Sequence, residues 1–501
     1  MASSSFEEQS SLFMNWLASQ PGVKISSKIQ LADLRAQLQG RAVVATEDIS
    51  EHDVLFVLPR DVLLSVENSG IIEKMPEIKE LDQWIGLIVT MMAENRPESR
   101  WKPYFDVLPK EFTTPMFWPE TDLEELKGTT VLAQLGKTDA EEAYRDVVLP
   151  LIKKHPAVFK GVDQSLEAYH RMGSLILSYS FDVEKQSDDS EEHNDDEEEE
   201  GNEVQEEDES EDETDHVLEI DEGGDFNMED AEEVFEIEDS ENDGDDEDGA
   251  YLKAMVPLAD MLNGDSDLNN AKLFYSKENL EMRAIKPIKK GEQVYNTYGD
   301  LPNSDLLRRY GYVRFGKTKN DVVEIETKMV VESVQHGLSE TNLQKRIDYM
   351  VEIDEEEDEE ILDDFIQVPI SSSAIPKSAL LLTYILMLNP TAFRNMKKQG
   401  HKPFTSISLT ELKSEEQRDL WISIIRKKLA EYKSDIVMDE NLVLEVKPEV
   451  NFNLRNAIEV RLSEMRILES ALTKVQQWKI KDQKRRKEFS SRAAKRARKK
   501  F

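Results

Sequence analysis

Sixty-four consecutive residues, Gln186 to Gly249, hold 36 Asp and Glu and not one Lys or Arg. A segment of that composition lacks the apolar side chains needed to offset the entropy of ordering it, and its like charges repel. It therefore divides the foldable chain, and any core must be built from the residues on either side. Closing so long a loop costs little more than closing a shorter one, because the entropy grows only slowly with length, so the flanks remain free to pair. The tract accounts for 36 of the net charge of −42. The folded remainder is near balance, and the acidity says little about its working surface.

The flanks carry folded-protein patterning. Val43 and Val44, then Val54 to Val57, bracket a polar turn at Ser50 to Asp53 and predict strands. Ile78, Leu81, Trp84, Ile85, Ile88 and Met92 recur at helical spacing and predict one amphipathic helix. More helices are expected up to Phe181, broken by the aromatic, proline-rich stretch Trp101 to Pro119. Beyond the tract, strands are expected at Leu273 to Tyr275, Leu280 to Ile285 and Gln293 to Tyr298, with a turn at Lys289 to Gly291. From Val322 the chain reads as mainly helical, and Leu454, Ile458, Leu462, Met465, Leu468, Leu472 and Val475 place one apolar stripe on one long helix. Glu352 to Asp364, a second acidic run, is expected as a loop or a solvated helix edge. The two strand blocks must pair with each other across the insertion if both are to be buried. The expected class is α+β. A β-rich domain over 23–315 contains a helical insertion at about 70–253, which holds the acidic tract 185–249; a helical domain over 316–478 and a basic tail over 479–501 follow.

Several chemistries are excluded. The chain has no cysteine, so disulfides and thiolate zinc sites are absent, and its scattered histidines lack metal-ligand spacing. Met1 to Gln20 lacks the basic start and apolar core of a secretory signal, and the apolar run Ser378 to Leu388 is too short to cross a bilayer; export and membrane insertion are not expected. Gly311 to Thr318 matches the phosphate-binding P-loop letter for letter, but a helical stretch precedes it, bulky Tyr312, Val313 and Phe315 fill it, and a strand-like Asp321 to Ile325 follows. The required context is reversed, and the match is fortuitous. No Gly-x-Gly occurs, so the dinucleotide-binding fingerprint is missing as well.

Three ordered segments carry a resemblance. Gln39-Gly40-Arg41-Ala42-Val43-Val44-Ala45 resembles the N-terminal cofactor loop of the SET-domain lysine methyltransferases. Pro257-Leu258-Ala259-Asp260-Met261-Leu262-Asn263 is similar to the segment that leads to the family's Asn-His pair. Gly291 to Gly299, followed by Tyr310-Gly311-Tyr312, resembles its catalytic strand. Ser99 to Pro109, Thr114 to Trp118 and Asn456 to Leu468 look like the subgroup containing plant Rubisco large-subunit methyltransferase, nearest to the fungal ribosomal lysine N-methyltransferase 4 type. Two positions depart from the family pattern: Ala42 stands at its second glycine and Gly264 at its histidine.

The resemblance implies a β-rich SET domain, a helical substrate-binding domain and S-adenosylmethionine as cofactor. It implies Tyr298 as the catalytic residue, Asp260 and Tyr275 beside it in the lysine pocket, and Gln39, Gly40, Arg41, Tyr179, Asn263, Gly264 and Tyr310 about the cofactor. The chemistry suits such residues. Methyl transfer needs a neutral amine, whereas a free lysine has a pKa of about 10.4; an aromatic channel desolvates the ammonium and aims its lone pair. Taken singly, the residues keep plainer readings: Asp260 as the cap of the next turn, Tyr275, Tyr298 and Tyr310 as strand or core aromatics, Gly40 and Gly264 as turn glycines.

The expected partner is a protein presenting a lysine, a basic ribosomal protein by the resemblance, with the chain acting as a monomer. The acidic tract reads first as a solvating spacer and second as a strip for basic partners. The tail, with twelve Lys and Arg from Lys479 to Lys500, reads as a nuclear address, with the cytoplasm as the other compartment and nucleic-acid contact confined to that tail. A second class of function stays open: a non-catalytic acidic nuclear chaperone built on the same scaffold.

Overall fold

The computed structural model describes residues 6–37, 39–185, 251–265, 267–316, 319–334, 338–357, 361–370, 375–398, 408–448 and 450–480. The acidic tract beyond Lys185 and the basic tail beyond Ile480 lie outside the described residues.

The two strand blocks do pair. Strands β1 (Lys24–Ile25), β2 (Ile29–Asp33), β3 (Arg41–Ala45) and β4 (Val54–Pro59) come from the first block. β5 (Ser180–Glu184) and β6 (Tyr251–Met255) bracket the tract and pair antiparallel, Ser180 opposite Met255 and Glu184 opposite Tyr251. β7 (Asn263–Gly264), β8 (Ala271–Tyr275), β9 (Asn279–Ala284) and β10 (Tyr295–Asn296) follow. The main sheet has the order β1-β4-β9-β8, so β4 of the first block lies against β9 of the second. On β9, Leu280, Met282 and Ala284 point inward in strict alternation, whereas Leu55 to Leu58 of β4 are buried on both faces. Bridges from Val44 to Gln293 and from Ile49 to Ile288 tie the blocks at two further points.

The expected helix over Ile78 to Met92 is two elements. A 3-10 turn occupies Pro76–Glu80, and α2 (Gln83–Glu94) starts after Asp82, whose side chain accepts from the Ile85 amide. α2 packs on α3 (Leu166–Tyr179), capped in the same way by Ser165. Several elements escaped the sequence reading, among them the strands at Ser180–Glu184 and Phe365–Pro369. α1 (Phe6–Ala18) buries Phe13 and Leu17 in the first domain's core, so that domain begins before Val23.

The second domain contains α4 (Glu340–Glu357), α5 (Lys377–Met387), α6 (Glu415–Leu429), α7 (Ile436–Glu445) and α8 (Phe452–Gln476), plus a strand pair, β11 (Val322–Glu326) with β12 (Phe365–Pro369). Its core gathers Leu380 to Leu382, Trp421, Ile424, Ile425 and Leu468. A smaller cluster of Trp118, Leu126, Val131, Leu307 and Val460 joins it to the helical insertion. The P-loop match fails as expected, since helical turns over Asn303–Tyr310 precede Gly311 and β11 follows.

Candidate active site

The site forms where β7 and β10 run parallel, Asn263 beside Tyr295 and Gly264 beside Asn296. Gln293 links the blocks through side chains. Its Nε2 donates to Gln39 Oε1 at 2.7 Å and to the Tyr295 hydroxyl at 2.8 Å, while its Oε1 accepts from Asn263 Nδ2 at 2.9 Å. Gln39 and Asn263, 224 residues apart in sequence, are thus held by one intervening amide. The sequence reading has Gln293 only within an expected strand and the resembling segment Gly291 to Gly299, with no sign that its side chain joins the blocks.

Gly40 takes a left-handed φ of 64°, and a Cβ added there would meet no atom within 4 Å. The loop therefore offers bare backbone to whatever approaches it. The Arg41 side chain points elsewhere. Its guanidinium donates to Ser10 Oγ at 3.0 Å and to the Val107 carbonyl, and lies 4.0 Å from the Phe6 ring centroid. Burial pushes its pKa down to about 10. Only the backbone of Arg41 remains for a ligand in the loop.

Tyr298 follows β10. Its hydroxyl donates to the Leu262 carbonyl at 3.1 Å, and its ring stacks on Tyr310 with centroids 4.3 Å apart and planes 4° from parallel. Burial, and then the neighbouring hydroxyls of Tyr179, Tyr310 and Tyr312, hold the Tyr298 phenol well above its ordinary pKa, so it stays protonated. The Tyr298 ring lies directly over Gly264: a Cβ at that position would fall 2.2 Å from Cδ2 of the ring. Only glycine leaves room for Tyr298 in this position.

Asp260 sits in a 3-10 turn over Ala259–Met261, entered through Leu258 at a φ of 76°. Few L residues tolerate that conformation, which costs on the order of 1–3 kcal/mol and persists where packing over-determines it. Asp260 does not act as a simple turn cap. Its Oδ2 accepts from the Tyr104 hydroxyl, and its Oδ1 is buried without a hydrogen-bond partner. Burial pushes the carboxyl up to about 8, against the opposing pull of Tyr104, of the backbone amides of Asp260 and Leu258, and of the Arg41 charge. Asp260 in turn adds to burial in lifting Tyr179, at the end of α3, to about 12. Tyr104, which sequence reasoning saw only within a resembling stretch, is fully buried, stacks near-parallel on Trp16 at 6.5 Å and packs beside Phe13 at 5.9 Å. Helix α1 therefore buttresses the group that holds Asp260. Tyr275 closes β8 opposite Leu280, at the end away from the Asn270–Tyr295 contact. Tyr298, Tyr310, Gly264, Asn263 and Gln39 form one cluster, Asp260 and Tyr179 adjoin it, and Tyr275 lies on the neighbouring sheet.

The Asp260 carboxyl makes stability depend on pH. Its folded pKa exceeds the unfolded value of 3.8, so the stability it contributes is complete below about pH 4 and is lost as pH rises toward 8. Asp260→Asn, which never ionises, is expected to melt higher than the parent at pH 8.5 and level with it near pH 4. Melting curves that run parallel from pH 4 to 8.5 would refute this assignment.

Comparison with known proteins gives a consistent result. The SET domain family model matches residues 40–299, and the model for the Rubisco LSMT substrate-binding domain matches 335–468. Ribosomal lysine N-methyltransferase 4 of Saccharomyces cerevisiae is 36% identical over 349 residues, covering 67% of this chain and 62% of that protein. The protein of the same name from Schizosaccharomyces pombe is 28% identical over 96% of this chain and 99% of its own length. Human N-lysine methyltransferase SETD6 is 27% identical over 86% of this chain and 84% of its own. The fold is similar to the crystal structure of the SET domain of LSMT bound to lysine and AdoHcy, with a TM-score of 0.66 at 18% identity, covering 95% of this chain and 92% of the other.

Proposed function

This chain belongs to the SET-domain family, and we propose that it methylates a lysine of a ribosomal protein of the large subunit. It is a protein-lysine N-methyltransferase that uses S-adenosylmethionine. The observation that best supports this reading is the Gln39–Gln293–Asn263 bridge beside the Tyr298–Tyr310 stack, which places a bare backbone loop and an aromatic wall together. The ribosomal substrate rests on the names of the two yeast relatives.

The residues fit the cofactor. The loop at Gln39 to Arg41 and the strand at Asn263 and Gly264 would hold it through backbone groups and the two side-chain amides, with Tyr310 and Tyr179 alongside. When bound, it supplies an electrophilic methyl group. The chain's own part is to bring in a lysine as a neutral, aimed amine. Aromatic walls at Tyr298 and Tyr310 exclude water and so disfavour the ammonium. The Tyr298 O–H is spent on the Leu262 carbonyl, so its oxygen accepts an N–H from the incoming amine and leaves the nitrogen lone pair free to point at the methyl group. Asp260, held by the Tyr104 hydroxyl, would add a polar group beside this aromatic wall.

The chain would be monomeric, and the cluster of Lys and Arg in 479–501 would direct it to the nucleus; fractionating cells that express the chain with and without that tail checks the address. The test of function is labelling. Large ribosomal subunits from cells lacking the chain are incubated with it and labelled cofactor. We expect one labelled ribosomal lysine, and a loss of about 100-fold in rate for Tyr298→Phe. Label found only on non-ribosomal proteins would overturn the substrate. No label anywhere would favour the chaperone reading, which none of the named relatives supports.

A further inference from the structure

We infer that the outward face of α7 is a docking surface for a cationic, apolar-containing segment of the protein substrate, away from the target lysine. The inner face of this helix is accounted for. Asp439 is fully buried against Arg461, and Leu442, Val443 and Val446 are half-buried as α7 packs on α8. The outer face is apolar too. Val437, one helical repeat of seven from Leu444, is 68% exposed; Leu444 is 83%, Met438 61%, and Val450, just past the helix, 82%. The other strongly exposed large apolar residues of the described chain, such as Leu12, Leu268 and Phe315, are single and reach no more than 58%. A helix apolar on both sides is ordinarily buried, and a clustered exposed patch marks a partner.

Two independent features say which partner. The patch sits in an acidic stretch: residues 434–450 hold Asp435, Asp439, Glu440, Glu445 and Glu449 against one cation, Lys447. Asp439 is consumed by Arg461 and Glu440 is shared with Arg466. That leaves the exposed Glu445 at the C-terminal end of α7 and, at its start, the exposed carboxylate of Asp435, whose Oδ1 also caps the helix at the Met438 amide, to face a basic partner. The patch also lies inside residues 335–468, the stretch matched by the substrate-binding domain model. A second contact there would raise the local concentration of the substrate's lysine at the channel without touching the chemistry.

This inference rests on the methyltransferase reading and is tested apart from it. Val437→Ser/Leu444→Ser and Val437→Glu/Leu444→Glu are compared with the parent on the whole protein that carries the labelled lysine and on a 15-residue peptide spanning it. KM for the whole protein is expected to rise about tenfold in both variants, with kcat and the peptide's kinetics unchanged. An unaltered KM for the whole protein overturns the docking face. A parent that is dimeric by light scattering and becomes monomeric in the variants also overturns it, because the face would then cover a second copy. A parent that labels neither substrate sinks the activity reading on which the inference rests.

Discussion

Gly264→Ala should cost about 100-fold in kcat/KM while the protein stays folded. The new methyl would stand 2.2 to 2.5 Å from three ring atoms of Tyr298, distances no side chain sustains, so the ring must leave its place against Tyr310. The backbone at Gly264 is outside the left-handed region, so alanine brings no conformational strain there and the whole effect falls on the ring. An error of about 1 Å in a positioning group typically costs about two decades in rate. Cofactor affinity should fall as well, since the same strand carries Asn263. Steady-state kinetics with a circular-dichroism spectrum as control read this directly. Parental kcat/KM in a folded variant would mean that the Tyr298 ring does not need its place over Gly264.

The largest effect on stability is expected at Arg461. Its guanidinium, 1% exposed, donates to both oxygens of Asp439 at 2.8 and 2.7 Å and to the carbonyl and carboxylate of Glu125 in the helical insertion. One side chain thereby clamps α7, α8 and the first domain together. Removing one partner of such a buried pair strands the other charge and costs roughly 3–5 kcal/mol. Arg461→Ala should lower the urea midpoint accordingly, and Arg461→Lys should recover only part, because an ammonium cannot reproduce the fork. The neighbouring Arg466–Glu440 pair has side chains 37% and 50% exposed and should give about 0–1 kcal/mol on the same substitution. Equal effects at the two pairs would refute the distinction between buried and exposed charge.

The pairing of the two strand blocks was legible because alternation on β9 and the solid apolar run of β4 leave few other ways to bury both. The long helix α8 showed for the same reason: seven apolar residues on one stripe. What escaped was local or relational. The break at Leu81 was written in Asp82, a good cap that a run of apolar spacings overrode. α1 looked merely polar and acidic, since only Phe13 and Leu17 of its residues are fully buried and a narrow stripe makes a weak periodic signal. The resemblance supplied Tyr298, Asp260 and Asn263, yet it could not show that Gln293 joins the blocks or that Tyr104 holds Asp260. Those roles exist only once residues distant in sequence are adjacent. Arg41 is the instructive case: it stands next to Gly40, while its side chain serves α1.

Hydrogen exchange of the full chain, with and without S-adenosylhomocysteine, puts the joined site to the test. Protection should rise together at residues 39–45, 262–265 and 293–298 on adding the ligand, because one occupant would touch both strand blocks. Protection confined to a single block, with the other exchanging as in the free protein, would contradict a shared channel.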